Sequence, residues 1–390
     1  MDQGDAMAGV RTDGDVPTFL PSRAEIDRRM GALRTLMQAN GWAALLVAGR
    51  AGATDAGFVR YTSGWRLWGG SSFVVLRADG DPTILLGSNS QVHWANQFSW
   101  VRDARYAEDL AGAAVDLVAG LEQGTVGAVG LGRSANSHDA ELIRSRLGPG
   151  LADATSAVTS LMVRKSIEER ALQAQGARAI AAAHARFAAE LRPGRSEFEV
   201  VAAAVETAVR GGCTDGIAHL STGSLPYIHP PTTRTFAADD VVKFSMEYAG
   251  PAGYWIELSG VYSFRQPTRE EQRLFDVTRA AMDAVGSGLR TGARASAVAA
   301  ISERVFADAG LAMTGRAIWD AHGIGLNVIE PPLAVAGDDS TYEEGMVINV
   351  HPGILVNGDH GIYLQDNFEV TDDGGVIQSG RDHVWTVVPG

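Results

Sequence analysis

Polar and ionisable residues interrupt four otherwise apolar stretches of the sequence, at 222–234, 246–258, 320–326 and 348–371. A buried polar group costs free energy unless it has a partner, so several such interruptions predict a shared site. The residues concerned are Glu247, Glu257, His229, His322, His351, Gln365 and Asp366. Carboxylates combined with imidazoles can transfer protons or bind a metal ion.

The three histidines lie in different local settings. His229 is in a Pro-rich loop, where a solvated side chain is the common outcome. His322 lies in Ala-His-Gly-Ile-Gly, whose glycines allow a close approach of the backbone. His351 interrupts an apolar run, and a histidine at that depth needs a polar partner. Together with the glutamates they indicate one cleft.

Length, charge and cysteine content narrow the classes of protein. A chain of 390 residues predicts two domains. The net charge of -13 argues against binding to nucleic acid or to anionic membranes. Cys213 is the one cysteine, which excludes an intrachain disulfide and a zinc site with two thiolates.

The same sequence carries no signal for membrane insertion or secretion. No apolar run approaches the roughly 18 residues of a membrane-spanning helix. Residues 1–17 are polar and rich in Gly and Asp, which predicts a disordered tail rather than a signal peptide. We therefore expect a cytoplasmic protein.

The first half of the chain predicts an α/β domain over 18–157. A helical apolar period over 22–40 precedes a strand over 43–47. The turn signal Asp-Gly-Asp-Pro between two apolar runs predicts a hairpin over 71–86. The alternation continues with helices over 109–123 and 138–146 and a strand over 126–130.

The second half predicts an α+β domain over 158–390. Helices are expected over 167–191 and 196–210, followed by strands over 241–264. Two further helices, at 269–289 and 295–309, precede strands over 346–370. This order of helix, helix and strands occurs twice, which favours a pseudo-symmetric domain whose sheet lines a cleft.

Three runs resemble the creatinase and Xaa-Pro aminopeptidase superfamily, family M24. They are Ala-His-Gly-Ile-Gly-Leu (321–326), Glu-Glu-Gly-Met-Val-Ile-Asn-Val-His-Pro-Gly-Ile (343–354) and Gly-Ile-Tyr-Leu-Gln-Asp-Asn-Phe-Glu-Val-Thr (361–371). Val-Arg-Lys-Ser-Ile-Glu-Glu (163–169) is similar to the start of the family's catalytic domain. The resemblance covers nearly the whole chain and implies a creatinase-type N-terminal domain followed by a pita-bread catalytic domain.

The resemblance also implies a site for two metal ions, built from two Asp, one His and two Glu. Those positions fall, in order, at Met246, Glu257, His322, His351 and Gln365, with Glu247 beside the first. Three anionic ligands are absent from this set, so we expect no dinuclear site and no cofactor. The alternative is one divalent ion, such as zinc or manganese, on Glu257, His322 and His351.

By resemblance to creatinase, the segment His-Pro-Pro-Thr-Thr-Arg (229–234) carries the general acid/base, which makes His229 the expected proton carrier. Its expected catalytic partners are Glu257, His322 and His351. The residues expected to bind substrate in the cleft are Glu247, Gln365, Asp366 and Tyr254.

The resemblance further implies a homodimer in which the partner's N-terminal domain completes the cleft. Arg66 would then receive a substrate carboxylate, and Trp68 would cover a cation or a ring. Ordinary aromatic packing in a hairpin is an equally good interpretation of this segment, 60–68.

Three functions follow from these features. The first is a metal-independent hydrolase or lyase that cleaves a C–N bond in a small zwitterionic or amide metabolite. The second is a Xaa-Pro-type metallopeptidase with a mononuclear site, although Ile329 replaces the family's usual His before Glu-x-Pro. The third is a non-catalytic binding protein with the same fold.

Overall fold

The computed structural model describes residues 20–121, 125–311 and 320–389. The chain divides into two compact units, Met1–Met162 and Val163–Gly390. The predicted tail over 1–17 lies outside the described residues. This division falls after Met162, whereas the sequence predicted a domain boundary between residues 157 and 158, which stays a prediction.

The first unit is a six-stranded mixed sheet with helices packed against it. Its strands follow the spatial order β4-β3-β2-β1-β5-β6. They are β1 (Trp42–Arg50), β2 (Ser71–Arg77), β3 (Thr83–Leu86), β4 (Asp103–Tyr106), β5 (Thr125–Val129) and β6 (Leu151–Asp153). The helices are α1 (Arg23–Asn40), α2 (Gly57–Ser63), α3 (Asn89–Phe98), α4 (Leu110–Val118), α5 (Ser137–Leu147) and α6 (Thr155–Val163).

Two local predictions for this unit have different outcomes. The hairpin over 71–86 is confirmed, because β2 and β3 pair in antiparallel register around the Asp-Gly-Asp-Pro turn. The segment 60–68 is not a hairpin: it begins inside α2, which ends where Gly64 adopts a φ of 72°. A glycine tolerates this left-handed conformation and so terminates the helix.

The second unit repeats an order of helices followed by strands. Its first half holds α7 (Ile167–Glu190), α8 (Glu197–Arg210), β7 (Asp215–Thr222), β8 (Val241–Ala249) and β9 (Trp255–Ser263). Its second half holds α9 (Arg269–Gly288), α10 (Ala295–Ala299), α11 (Ile301–Asp308), β10 (Ala321–Gly323), β11 (Glu330–Leu333), β12 (Val347–Val350), β13 (Gly353–Val356), β14 (His360–Tyr363), β15 (Asp366–Val370), β16 (Gly375–Ile377) and β17 (Trp385–Val387).

These strands form two main sheets, in the orders β17-β9-β8-β7 and β11-β10-β12-β15-β16, and the hairpin β13-β14. One apolar core lies between the first sheet and the helices α7 and α8. A second core joins α9, α10 and α11 to the second sheet. Each sheet therefore has one face covered by helices. None of the helices in the described ranges is both long and apolar enough to cross a membrane.

Three long helices of this unit begin with the same sequence signal. Ser166 with Glu169, Ser196 with Glu199, and Thr268 with Glu271 each form a reciprocal capping box. The hydroxyl accepts from the backbone of the third helical residue, whose carboxylate accepts in return from the cap. These starts were predictable because the motif is local.

The two sheets meet along β9. The backbone N–H of Trp255 donates to the carbonyl of Gly325 at 2.7 Å. The carbonyl of Glu257 accepts from the side-chain amides of Asn349, at 3.4 Å, and Asn367, at 3.1 Å. Since both asparagines are fully buried, these bonds fix the position of Glu257 between the sheets.

A buried ion pair supports the glycine-rich turn after β10. Lys165 Nζ lies 2.7 Å from a carboxylate oxygen of Glu330, and both side chains are almost fully buried. A Cβ atom on Gly325 would lie 2.5 Å from that carboxylate, and one on Gly323 would lie 2.3 Å from the carbonyl of Pro331. The two glycines of the motif are therefore required by packing.

We predict that Lys165→Met lowers the free energy of unfolding by about 3–5 kcal/mol, because it leaves the Glu330 carboxylate buried without a partner. Lys165→Met with Glu330→Gln should recover most of the loss, since the introduced glutamine is neutral and keeps an acceptor for the backbone N–H of Asn327. Urea unfolding of the single and the double variant measures both free energies of unfolding.

The matched control is Arg164→Met, which breaks the exposed ion pair with Glu343 and should cost at most about 1 kcal/mol. Equal losses in the Lys165 and Arg164 variants would show that the buried pair does not stabilise the fold.

Candidate active site

Strand alternation places a polar face on the first sheet. The side chains of Ala218, Met246 and Leu258 belong to the core with α7 and α8. Their neighbours in sequence point to the opposite face, where Glu247 pairs in register with Glu257. The position that the resemblance assigned to the first Asp, Met246, is therefore a core position, and Glu247 supplies the carboxylate beside Glu257.

The two glutamates face each other across β8 and β9, where Glu257 is buried and Glu247 is half-buried. Burial raises the pKa of the Glu247 carboxyl. Burial raises the pKa of Glu257 well above its ordinary value, and the negative charge of Glu247 adds to this. Both effects favour a protonated carboxyl, and a cation placed between the pair would reverse them.

The second sheet brings two imidazoles to these carboxyls. His322 Nε2 lies 3.8 Å from a carboxylate oxygen of Glu257. The ring of His351 lies 5.1 Å from that of His322, measured between centroids. We call Glu247, Glu257, His322 and His351 the buried quartet.

Both imidazoles of the buried quartet are held in the neutral form. Burial lowers the pKa of His322 to about 4. Burial, followed by the charge of His322, lowers the pKa of His351 to about 3. The Nδ1 atom of His322 lies 2.9 Å from the Gly323 carbonyl, which can only accept, so Nδ1 carries the proton and Nε2 carries the lone pair.

Tyr363 adjoins this group and was not predicted as a site residue. Its ring lies 6.4 Å from that of His351. Burial raises its pKa well above the ordinary value, and the charges of Glu257 and Glu247 add to the effect. In the sequence, Tyr363 could have been identified from its place in the run Ile-Tyr-Leu-Gln-Asp, two residues before Gln365.

Two residues expected to bind substrate have other partners. The carboxylate of Asp366 accepts from Ser379, from His383 Nε2 at 2.9 Å and from the Asn367 backbone at 2.7 Å. The Tyr254 hydroxyl donates to Glu169 on α7 at 2.7 Å. These contacts tie both side chains to the protein itself.

His229 lies on the loop between β7 and β8. Its backbone pairs with that of Leu220, and its Nδ1 lies 2.7 Å from the carbonyl of Pro230. Its charge acts on His219, whose pKa is lowered by burial first and by His229 second. His229 therefore lies close enough to His219 on β7 to act on it electrostatically, and His219 was not predicted as a site residue.

Arg66 and Trp68 belong to the first unit. They line a cavity of about 370 Å³ together with Gly64, Trp65, Trp94 and Phe98. Trp68 packs against Trp65 with a centroid distance of 4.7 Å. Their proposed contribution to a partner's cleft stays a prediction.

The donor types in the buried quartet fit a divalent metal ion. Two carboxylates and two neutral imidazoles are ordinary ligands of zinc and manganese. In the part of the chain that the structure describes, no three His, Cys, Asp or Glu side chains are close enough together to hold an ion. Glu257 and His322, whose side chains approach to 3.8 Å, would supply two of the ligands.

The profile of metallopeptidase family M24 matches residues 171–372. This range covers just over half of the chain. The chain belongs to family M24.

Its similarity to individual proteins agrees with this membership. It is 33% identical over 237 residues to a probable dipeptidase PepE of Mycobacterium bovis, an alignment that covers 58% of this chain and 61% of that relative. The crystal structure of dipeptidase PepE from Mycobacterium ulcerans is 27% identical, with a TM-score of 0.77, 94% of this chain covered and 99% of that one.

An X-Pro aminopeptidase structure from Thermotoga maritima superposes with a TM-score of 0.82 at 19% identity, covering 92% of this chain and 99% of that one. This likeness shows the fold alone. The M24 matches confirm the predicted architecture of an N-terminal α/β domain and a pita-bread C-terminal domain.

Membership of this family corrects the prediction about cofactors. We expected none, because three anionic ligands of the family pattern are absent. That prediction is wrong for a chain that matches a metallopeptidase family over 171–372. The strand register places Glu247 opposite Glu257, so Glu247 supplies a carboxylate in place of the Asp that is absent at position 246.

We predict that Glu257→Gln stabilises the chelator-treated protein, and that the gain increases with pH. The folded pKa of Glu257 lies above its ordinary value of 4.5, so the folded state binds this proton more tightly than the unfolded chain does. The contribution of Glu257 to stability is therefore lost as the pH rises from about 4.5 through the folded pKa. A neutral glutamine removes this loss.

Urea unfolding near pH 4.5 and near pH 8 measures the difference. Glu344→Gln, the same change at an exposed position, should show no comparable dependence on pH. A gain for Glu257→Gln that stays constant or shrinks as the pH rises would contradict the assignment.

Proposed function

We propose that the protein hydrolyses the amide bond of dipeptides or other short peptides, with a divalent metal ion bound at the buried quartet. The observation that carries this proposal is the buried Glu257 carboxylate facing the neutral imidazole of His322 at 3.8 Å. The similarity to proteins named dipeptidases supports the substrate class.

Glu257 and His322 would hold the ion, with Glu247 as the adjacent carboxylate. When bound, a divalent cation supplies Lewis acidity to the carbonyl of an amide. The protein contributes the neutral imidazole, whose Nδ1–H is fixed by the Gly323 carbonyl so that Nε2 points away from it. Charge neutralisation by the cation would also lower the pKa values of both glutamates.

Glu247 is the better candidate for the general base. Its carboxylate lies opposite Glu257 in the strand register, so it can take a proton from a water molecule that attacks at this place. His351 and Tyr363 are neutral groups at the same place, and each can donate a hydrogen bond to an oxygen that gains negative charge.

His229 would return a proton to the leaving amine. Its Nδ1–H donates to the Pro230 carbonyl, which leaves Nε2 as the atom that exchanges protons. Its position on a half-exposed loop gives access to solvent. This keeps the predicted role of His229 as acid/base within a metal-assisted reaction.

The homodimer, the contribution of Arg66 and Trp68 to a partner's cleft, and the cytoplasmic location belong to this proposal as predictions. The cavity lined by Arg66 and Trp68 in the first unit supports a binding role for these two residues.

We predict that Glu257→Gln lowers kcat/KM for dipeptides by at least about 100-fold and lowers the bound metal per chain, because it removes a ligand. The assay pairs hydrolysis of a panel of Xaa-Pro and proline-free dipeptides with elemental analysis. Glu344→Gln should change neither quantity.

Activity that persists in Glu257→Gln and in excess chelator would contradict the metal-assisted reaction. A protein that binds these dipeptides without cleaving any of them would be the non-catalytic relative.

We predict that His229→Gln lowers kcat by about 10²–10⁴-fold and leaves the metal content unchanged, because it removes a proton carrier without touching the ligands. The pH profile of kcat should also lose one of its limbs. The control is His138→Gln at an exposed position on α5. A variant with unchanged kcat would exclude His229 as the proton donor.

A further inference from the structure

Lysine is rare in this chain, and both of its lysines are buried. Of the 33 Lys and Arg residues, two are lysines, Lys165 and Lys243. Lys165 has the carboxylate of Glu330 as its partner. In the described part of the chain, Lys243 Nζ instead donates to two main-chain carbonyls, those of Gly223 and of Leu225, the second at 2.9 Å. A buried cation without a counter-ion is costly, so Lys243 indicates a role that a neutral side chain cannot fill.

Strand alternation puts Lys243 on the same face of β8 as Glu247. The side chains of Phe244 and Met246 belong to the core with α7 and α8, so the side chains between and beside them point to the opposite face. Burial lowers the pKa of Lys243 to about 8. At neutral pH the side chain is therefore mainly an ammonium, and its bonds to the carbonyls are charge-assisted.

The carbonyls that Lys243 binds belong to the loop that carries His229. This loop is closed by Leu220 and His229, whose backbones exchange two hydrogen bonds, at 2.9 and 2.8 Å. Within the loop, Ser221 Oγ also donates to the Leu225 carbonyl, at 3.0 Å. Lys243 therefore holds the chain between the two residues that close the loop.

A further contact fixes the residue between the two carbonyls bound by Lys243. The backbone N–H of Gly361 on β14 donates to the carbonyl of Ser224 at 2.9 Å. A Cβ atom on Gly361 would lie 2.6 Å from Cγ of Pro226, so the loop and β14 are in close contact there. Three successive carbonyls of the loop are thus bound, just before the chain reaches His229.

We propose that Lys243 is a positioning residue, which holds this loop so that the imidazole of His229 can return a proton to the leaving amine. This rests on the proposed function. An ammonium presents three N–H donors on a compact group, which suits two carbonyls of one loop better than a planar guanidinium does. A proton donor that is fixed in place before the reaction needs less ordering to reach the transition state.

The first test is Lys243→Met, which should lower kcat for a dipeptide by about 10–100-fold, because the proton donor is no longer held in place. KM should stay within about 2-fold and the metal content should be unchanged, since no ligand or substrate contact is removed. Lys243→Gln keeps one N–H donor and should lose less, and it serves if the methionine variant does not fold. The control is Arg210→Met, which removes an exposed cation on α8 and should keep kcat.

A second substrate separates positioning of His229 from general damage to the fold. In a para-nitrophenyl ester of the dipeptide's first amino acid, the phenolate leaves without taking a proton. Lys243→Met and His229→Gln should therefore both lower kcat for the dipeptide and keep kcat for the ester. Equal losses for ester and dipeptide in the Lys243 variants would overturn the inference and leave the proposed function intact.

The double variant measures whether the two residues act in one step. Lys243→Met combined with His229→Gln should have a dipeptide kcat within about 3-fold of that of His229→Gln alone, because the group that Lys243 positions is already absent. A kcat reduced by the product of the two single losses would show that the residues act independently, and would overturn the inference.

The last test needs no turnover. Hydrogen exchange followed by mass spectrometry should show faster exchange over residues 220–229 in Lys243→Met than in the wild type, with no change in peptides from α5 in the first unit. Unchanged exchange of the loop in Lys243→Met and in Lys243→Gln would overturn the inference. Faster exchange in a protein that hydrolyses no dipeptide would support the hold of Lys243 on the loop and reject the proposed function.

Discussion

The candidate site depends on one main-chain carbonyl, that of Glu257. Two buried asparagines on the second sheet, Asn349 and Asn367, donate their side-chain amides to it. Glu257 itself is on the first sheet, so these bonds hold the sheets in one relative position. With the carbonyl held, the carboxylate of the same residue lies beside His322 on the other sheet. Loss of this junction would separate the carboxylates from the imidazoles.

Burial then determines the charge of the site. It pushes the two carboxyls and the two imidazoles of the buried quartet towards their neutral forms. Neutral imidazoles can bind a metal ion through a ring nitrogen, and a bound cation would stabilise the ionised form of the two carboxyls. The same burial excludes the water that would otherwise compete for an ion or a polarised carbonyl.

Part of this arrangement could be predicted from local sequence. Ionisable residues in apolar strands revealed Glu257, His322 and His351, and the order of helices and strands in the second half of the chain was also predicted. Membership of family M24 confirmed the architecture. What local sequence could not show was strand register, because a shift by one residue exchanges Met246 and Glu247 between core and cleft.

Other contacts join residues far apart in the chain. The Tyr254 hydroxyl donates to Glu169 on α7, which lies 85 residues away in the chain. The partners of Asp366 include His383 on the segment before β17.

The central claim is that Glu257 and His322 bind a divalent cation in the cleft between the sheets. Anomalous diffraction from crystals grown with manganese or zinc, recorded on both sides of the metal's absorption edge, tests it most directly. We expect one anomalous peak within bonding distance of Glu257 and His322. No peak at this position, or a peak bound by other side chains, would contradict it.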